Sequence, residues 1–359
     1  MTYLIDRNLV PSQCHIPREF RSRVAQIKPV SLDEPQQTIS SFVSRDIPSL
    51  VPLVDSFASV VAGLPSRARD PDQSQPPSMN PMSNSCIIVL RSNGGRLGNK
   101  MFMYATAYGL TRMYHCSMYI ERRAFDELRE TFLVDPVKRI SDEQFSNVKN
   151  KIQVLSNGCH YTNLSTVIVN STILELTGYW QNYKYFVNYY KEIRHQFTLK
   201  KNILLEIDKY FTYSYKLRNA TLVGVHVRRG DFLSQHNINV GFTVSSAEYI
   251  NKSMTYFTTK YQNVYFIIAS DDKTWCIETF GKQQNNNVLI TPKHFTPSED
   301  LAILTSCKHT IVTVGTFGWW AAFLTNGEVL CDKNYPRNGT WLSELCPGQE
   351  YYPPWYKSL

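Results

Sequence analysis

The chain has 359 residues, of which 43% are hydrophobic and 13% aromatic, with a formal net charge of +8. That length suits about two domains, and that composition excludes a fibrous or wholly disordered protein. No run of about 20 apolar residues marks a membrane span, and the eight cysteines show neither CxxC nor the Cys/His spacing of a structural zinc site.

In chain order, residues 1–85 hold 11 of the 18 prolines, only four aromatic residues, and eight Lys/Arg against eight Asp/Glu. Such a stretch has too little apolar surface to fold compactly and is expected to be a Pro-rich leader or stem. Its best apolar segment, Phe42 to Leu64, is interrupted by Arg45, Asp46, Pro48, Pro52 and Asp55, so no anchor or signal peptide is visible. Asp70-Pro71-Asp72 has the DxD spacing of metal-dependent glycosyltransferases, but in this Pro/Ser-rich setting it is expected to be coincidental.

The pattern changes at Cys86. An apolar strand to Leu90 leads into Gly94-Gly95-Arg96-Leu97-Gly98-Asn99, and then Met101, Tyr104, Ala105 and Tyr108 recur at helical spacing. Strand, glycine turn and helix form the opening unit of an α/β domain, assigned to residues 86–215. The turn matches neither the dinucleotide GxGxxG pattern nor the P-loop lysine pattern, which argues against a dehydrogenase or an NTPase.

Residues 216–359 are more regular. Apolar strands Leu222–Val227, Val264–Ala269, Val288–Ile290, Ile311–Val314 and Val329–Cys331 alternate with helical segments near 246–260, 273–281, 299–306 and 317–325. Ser245 and Glu248 have capping-box spacing at the first of these helices. The alternation predicts a parallel sheet covered on both faces, with ligands bound where strands end.

Three such strand ends carry chemistry. Val225-His226-Val227-Arg228-Arg229-Gly230-Asp231 places two guanidinium groups just past an apolar strand, where an arginine can grip phosphate oxygens bidentately. A structural Arg–Asp pair is the competing expectation, with Asp231 either orienting the arginine or acting on a hydroxyl. Ser270-Asp271-Asp272 can accept hydrogen bonds from a base or ribose, or cap the next helix. Val314-Gly315-Thr316-Phe317-Gly318-Trp319-Trp320 offers a helix start to a phosphate, with the two tryptophans expected in the core. Cys331 and Cys346 are a plausible local disulfide pair, and sequons at Asn163, Asn170, Asn219, Asn251 and Asn338 fit a secretory compartment.

Gly95 to Ala105, Gly178 to Phe186, His226 to Asp231, Ser270 to Cys276 and Asp300 to Ala322 occur in the order found in the α1,2-fucosyltransferases of glycosyltransferase family eleven, which this chain resembles over about residues 86–325. The resemblance implies an α/β, GT-B-like fold of two facing Rossmann-type domains with a cleft between them, the first on the acceptor side and the second holding GDP-β-L-fucose. It implies inverting, metal-independent transfer of fucose to a terminal galactose of a glycan. Arg228 would hold the diphosphate with Arg229 beside it, His226 and Asp271 or Asp272 would contact the guanosine end, and Thr316 and Phe317 would line the phosphate side. Asn99 would face the reaction centre, and Asp231 is the first candidate for a catalytic base. Lys100 and Trp180 depart from the family's usual glutamine and phenylalanine; the lysine would strengthen phosphate binding or alter the acceptor side. Membrane association in the Golgi is also implied, although no anchor is visible. The alternatives are a catalytically silent glycan- or partner-binding homologue and a protein O-fucosyltransferase. The positive charge alone would also suit nucleic acid, but no nucleic-acid-binding motif accompanies it.

Overall fold

The computed structural model describes residues 86–359 except 92–93, 136, 171–172, 214–216, 218, 282–286 and 326. The leader expected over residues 1–85 and its Asp70-Pro71-Asp72 therefore lie outside the described residues.

Two sheets organise the described chain, and every named strand pair in them is parallel. The first contains β1 (Ile87–Leu90), β2 (Ser117–Glu121), β3 (Lys138–Ile140), β4 (Ile152–Asn157) and β5 (Ile173–Gly178), in the order β3-β2-β1-β5-β4. The second contains β6 (Thr221–Val227), β7 (Val264–Ser270), β8 (Val288–Ile290), β9 (His309–Val312), β10 (Val329–Cys331) and β11 (Tyr356–Ser358). Its order, β11-β10-β9-β6-β7-β8, is that of a doubly wound Rossmann sheet with its switch point between β6 and β9. The first sheet is wound differently: the chain runs outward from β1 through β2 to β3, then crosses to the opposite edge at β4 and steps back to β5 beside β1. Two Rossmann-type halves of an α/β, GT-B-like fold are thus present, the second with a crevice where its strand order turns.

The strands of the second sheet form where the apolar runs predict. In β6, Val223, Val225 and Val227 are buried on one face and His226 on the other, as a strand covered on both sides requires. The crossover helices carry their own start signals. Thr296 and Glu299 form a capping box before the helix Pro297–Thr305, with proline at its first turn. The helix Ala247–Lys260 is capped one residue later than its spacing predicts: Ser246 accepts from the Tyr249 amide at 3.1 Å, while Ser245 is buried with its hydroxyl unpaired. The cap is the last non-helical residue, and the backbone turns helical only after Ser246.

The two halves share one core. Helix α1 (Leu97–Tyr114), which follows β1, packs against the helix Thr316–Thr325, which follows β9. Gly98 permits this approach, since a Cβ there would lie 2.7 Å from the Phe317 amide nitrogen. Behind it Phe102 meets Trp319 at 4.5 Å and Trp320 at 5.1 Å, and Phe186 stacks on Trp320 at 5.4 Å. Both tryptophans are fully buried, as expected for core residues.

The carboxyl-terminal segment returns to the first half. Its Tyr351 and Tyr352 are buried, the Trp319 indole donates to the Tyr351 carbonyl at 2.9 Å, and Glu350 accepts from the Tyr161 amide at 2.9 Å. A disulfide, Cys159–Cys346, fixes the crossing, and a second joins Cys86 to Cys116. The expected local pair of Cys331 with Cys346 is therefore wrong. Cys331 is a free thiol buried within β10, and the short helix Trp341–Leu345 carries Cys346 to the loop after β4. Packing of the segment on the first half decided the pairing, not proximity in sequence. Among the described residues, no helix is long and apolar enough to cross a membrane.

Candidate active site

The carboxyl ends of β1 and β5 in one sheet, and of β6, β7 and β9 in the other, converge on one region. Ligands of doubly wound sheets bind at such switch points. Here the β6/β9 switch point faces the carboxyl ends of β1 and β5.

Arg228 is the first residue past β6. Its amide donates to Thr313 Oγ1 at 3.0 Å, which fixes the backbone at the switch point. Its guanidinium, largely buried, bridges Asp231 and Asp271 with one hydrogen bond to each. The group also lies over the Phe232 ring, 4.9 Å from its centroid. Packing and charge together hold the fork in one orientation.

Arg229 points elsewhere. It sits 3.9 Å over the Trp275 ring and pairs with Asp272 at 3.3 Å, while Asp272 caps the helix Lys273–Phe280 by accepting from the Trp275 amide. Asp271 accepts from the Arg229 amide at 2.9 Å as well as from Arg228. Gly230 makes room for this, because a Cβ there would collide with the Asp271 carboxylate. Of the two carboxylates past β7, Asp272 thus caps the helix and Asp271 anchors the arginine loop.

His226 lies beneath the site. Its ring contacts Phe317 at 5.4 Å and abuts Gly318, and its Nδ1 has no hydrogen-bond partner. Burial, reinforced by the Arg228 charge, lowers its pKa to about 3, so the imidazole is neutral at physiological pH. Above it the helix Thr316–Thr325 starts after Gly315, whose φ of +87° is natural only for glycine. The unsatisfied N–H groups of that first turn supply partial positive charge beside Arg228.

From the first half, Asn99 Oδ1 accepts from Thr316 Oγ1 at 2.9 Å, bridging the halves. Arg96, strongly exposed, reaches Asp231 at 3.7 Å. Every residue expected at the site is therefore gathered where the carboxyl edges of the two sheets meet: Asn99, His226, Arg228, Arg229, Asp231, Asp271, Asp272, Thr316 and Phe317. Lys100 is not part of it. Its ammonium pairs with Glu127 at 2.8 Å within the first half, one helical step away from Asn99.

Sequence reasoning missed Arg96, Thr313, Phe232 and Gln181, whose side chain donates to Asn99 Oδ1 at 3.1 Å. Arg96 and Gln181 lie inside recognised motifs, but nothing in their spacing shows which neighbour they reach. Among the described residues no group of three or more His, Cys, Asp and Glu side chains is arranged to hold a metal ion.

Residues 82–341 match the family model Glycosyl transferase family 11. The chain is 30% identical over 271 residues to galactoside alpha-(1,2)-fucosyltransferase 2 of Sus scrofa, covering 73% of this chain and 77% of that protein. It is 29% identical over 272 residues to galactoside alpha-(1,2)-fucosyltransferase 1 of Rattus norvegicus, covering 73% and 70%. Among solved structures, an Arabidopsis thaliana FUT1 mutant in complex with GDP has a TM-score of 0.48 at 12% identity, covering 75% of this chain and 74% of that one.

Proposed function

The chain belongs to glycosyl transferase family 11 and is a fucosyltransferase; on that premise, we propose that it transfers fucose from GDP-β-L-fucose to the 2-hydroxyl of a terminal galactose in a glycan, with inversion and without a metal. What supports the donor assignment is the placement of Arg228: a packed guanidinium at the β6/β9 switch point, next to the amino end of a helix.

Departure of GDP leaves an oxocarbenium-like fucosyl group and puts negative charge on the diphosphate. Arg228 and the first-turn amides of the helix at Thr316 are fixed donors that stabilise that charge without reorganising. Asp231 and Asp271 neutralise Arg228 beforehand, so an incoming diphosphate takes over bonds now made by carboxylates. Asp231, the more exposed of the two, is then released towards the cleft, where it can accept the proton of the attacking hydroxyl. Asp271 keeps its second bond to the Arg229 amide and stays with the loop.

In this assignment residues 86–215 face the acceptor and residues 216–359 hold the donor, with His226 and Asp272 on the nucleoside side and Thr316 and Phe317 lining the phosphate side. The two disulfides suit an oxidising secretory compartment, as does a Golgi location. The test is incubation of purified protein with GDP-fucose and a panel of terminal β-galactosides in EDTA, with products read by mass spectrometry and linkage analysis. An α1,2-linked fucoside is expected. No transfer to any galactoside, or transfer only to a folded protein, overturns the acceptor assignment, and activity abolished by EDTA overturns metal independence.

A further inference from the structure

Two hydrogen bonds end on the same atom of Asn99. Its Oδ1 accepts from Thr316 Oγ1 at 2.9 Å and from Gln181 Nε2 at 3.1 Å. With the carbonyl oxygen occupied twice, the Nδ2 hydrogens point away from both partners. That nitrogen donates to no group among the described residues. Gly95 leaves it uncovered, since a Cβ there would lie 2.8 Å from Nδ2.

The turn that delivers Gln181 is under strain. It follows β5, and both Gly178 (φ +83°) and Trp180 (φ +49°) have left-handed backbone. For a bulky residue such as tryptophan that conformation is a genuine outlier, and it persists only where its surroundings hold it. Here they do. The Trp180 ring is fully buried and its Nε1 donates to the Thr177 carbonyl at 2.7 Å, while the Gln181 amide donates to the Gly158 carbonyl at 2.7 Å. Gly158 adjoins Cys159 of the disulfide that joins the halves. The backbone of Gln181 is thus over-determined, and its side chain spends its donor on Asn99.

We propose that Gln181 is a positioning residue for fucosyl transfer. It keeps the Asn99 amide turned so that Nδ2 donates into the space between the carboxyl edges of the two sheets, to a donor oxygen that gains negative charge as the sugar leaves. This rests on the fucosyl-transfer function proposed above. A glutamine can donate to Asn99 Oδ1, whereas a glutamate can only accept. Gln181→Glu therefore draws Nδ2 towards itself and turns the Asn99 carbonyl oxygen into the cleft, where it repels the charge it should stabilise.

The test is a double-mutant cycle on the full chain with Gln181→Glu, Asn99→Ala and the pair combined. Turnover is read both by transfer to a β-galactoside and by hydrolysis of GDP-fucose without acceptor. Asn99→Ala is expected to lower kcat by roughly a hundredfold, as loss of one transition-state donor does. Gln181→Glu should lower kcat about tenfold or more with the donor KM little changed, a loss confined to the transition state. The double variant should be no slower than Asn99→Ala alone. Gln181→Met, which removes the donor without adding charge, should lose less than Gln181→Glu and guards against a folding defect, checked by thermal melting. Wild-type turnover in Gln181→Glu, or losses that multiply in the double variant, overturns the proposal. If the wild-type protein hydrolyses GDP-fucose but transfers to no galactoside, the acceptor assignment fails and the hydrolysis cycle still decides the role of Gln181. If it binds GDP yet does neither, both fall.

Discussion

The carboxyl edges of the two sheets meet across one site but are built from different chemistry. Past β6 and β7, Arg228 and Arg229 are matched by Asp231, Asp271 and Asp272 and packed on Phe232 and Trp275. Past β1 and β5, the groups turned towards the site are the amides of Asn99 and Gln181, with the half-exposed ring of Tyr179 two residues before Gln181, and a cation, Arg96, which reaches across to Asp231. Apart from Arg96, the charged side chains of that edge are paired among themselves: Arg91 contacts Glu121 and Glu175, and Lys100 contacts Glu127. Under the proposed function, the edge past β6 and β7 meets a diphosphate, and the other, apart from Arg96, offers neutral donors and acceptors of the kind a sugar hydroxyl needs.

Substitutions can sharpen or break this contrast. The largest effect is expected at the charged edge. Arg228→Ala should lower kcat/KM by about a thousandfold and abolish measurable GDP binding in calorimetry, and Arg228→Lys should recover little, since lysine lacks the bidentate fork. If Arg228→Ala binds GDP normally, the diphosphate sits elsewhere and the division of labour between the edges is wrong.

Next in size is the tie between the edges. Cys346→Ser opens a link spanning 187 residues of sequence and should cost about 3–5 kcal/mol of stability in guanidinium unfolding. It should also loosen the loop that holds Gln181, so activity should fall at temperatures well below the unfolding midpoint.

Acid should act on the second half. His226 and His309 have pKa values lowered by burial to about 3 and about 4, against an ordinary value of 6.5. The unfolded chain therefore binds more protons than the native one below pH 6.5. The contribution of these two histidines is complete above that pH and is lost progressively as pH falls towards 4, by about 1.4 kcal/mol per pH unit for each. Denaturation midpoints at pH 7.5 and pH 5 should show the decline, and His309→Gln should flatten it if the variant folds.

The smallest effect is expected for Lys100→Gln, which restores the residue usual in the family. Loss of a partly exposed pair with Glu127 should cost no more than about 1 kcal/mol, and donor KM should stay within about twofold. A large rise in KM would put Lys100 back among the phosphate ligands.

The halves also differ in how far they can be read from sequence. In the second, β6, β7, β8 and β10 are short apolar runs bounded by turn residues, so their positions follow within a residue or so from hydrophobic pattern alone. In the first, only β1 has that signature. Lys138–Ile140 reads KRI, and Ile152–Asn157 has no buried residue, so neither carries a run that separates strand from loop. β11 is a three-residue edge strand with two exposed side chains and is equally silent. The arginines and aspartates past β6 and β7 stood out because charge after an apolar strand is conspicuous. Which carboxylate binds which arginine depended on the Asp272 cap and the Trp275 ring, and the link from Gln181 to Asn99 depended on the strained turn at Trp180, none of which has a pattern in sequence.

Cys159–Cys346 turns the stretch between those two residues into a covalent ring that contains β5 and five of the six strands of the second sheet. A protease cutting once anywhere on that ring opens it without releasing a fragment. On a gel the clipped protein should migrate as a single species until reductant is added and as two bands afterwards. After a single internal nick the two pieces stay covalently joined, so even under conditions that loosen their shared core they cannot diffuse apart.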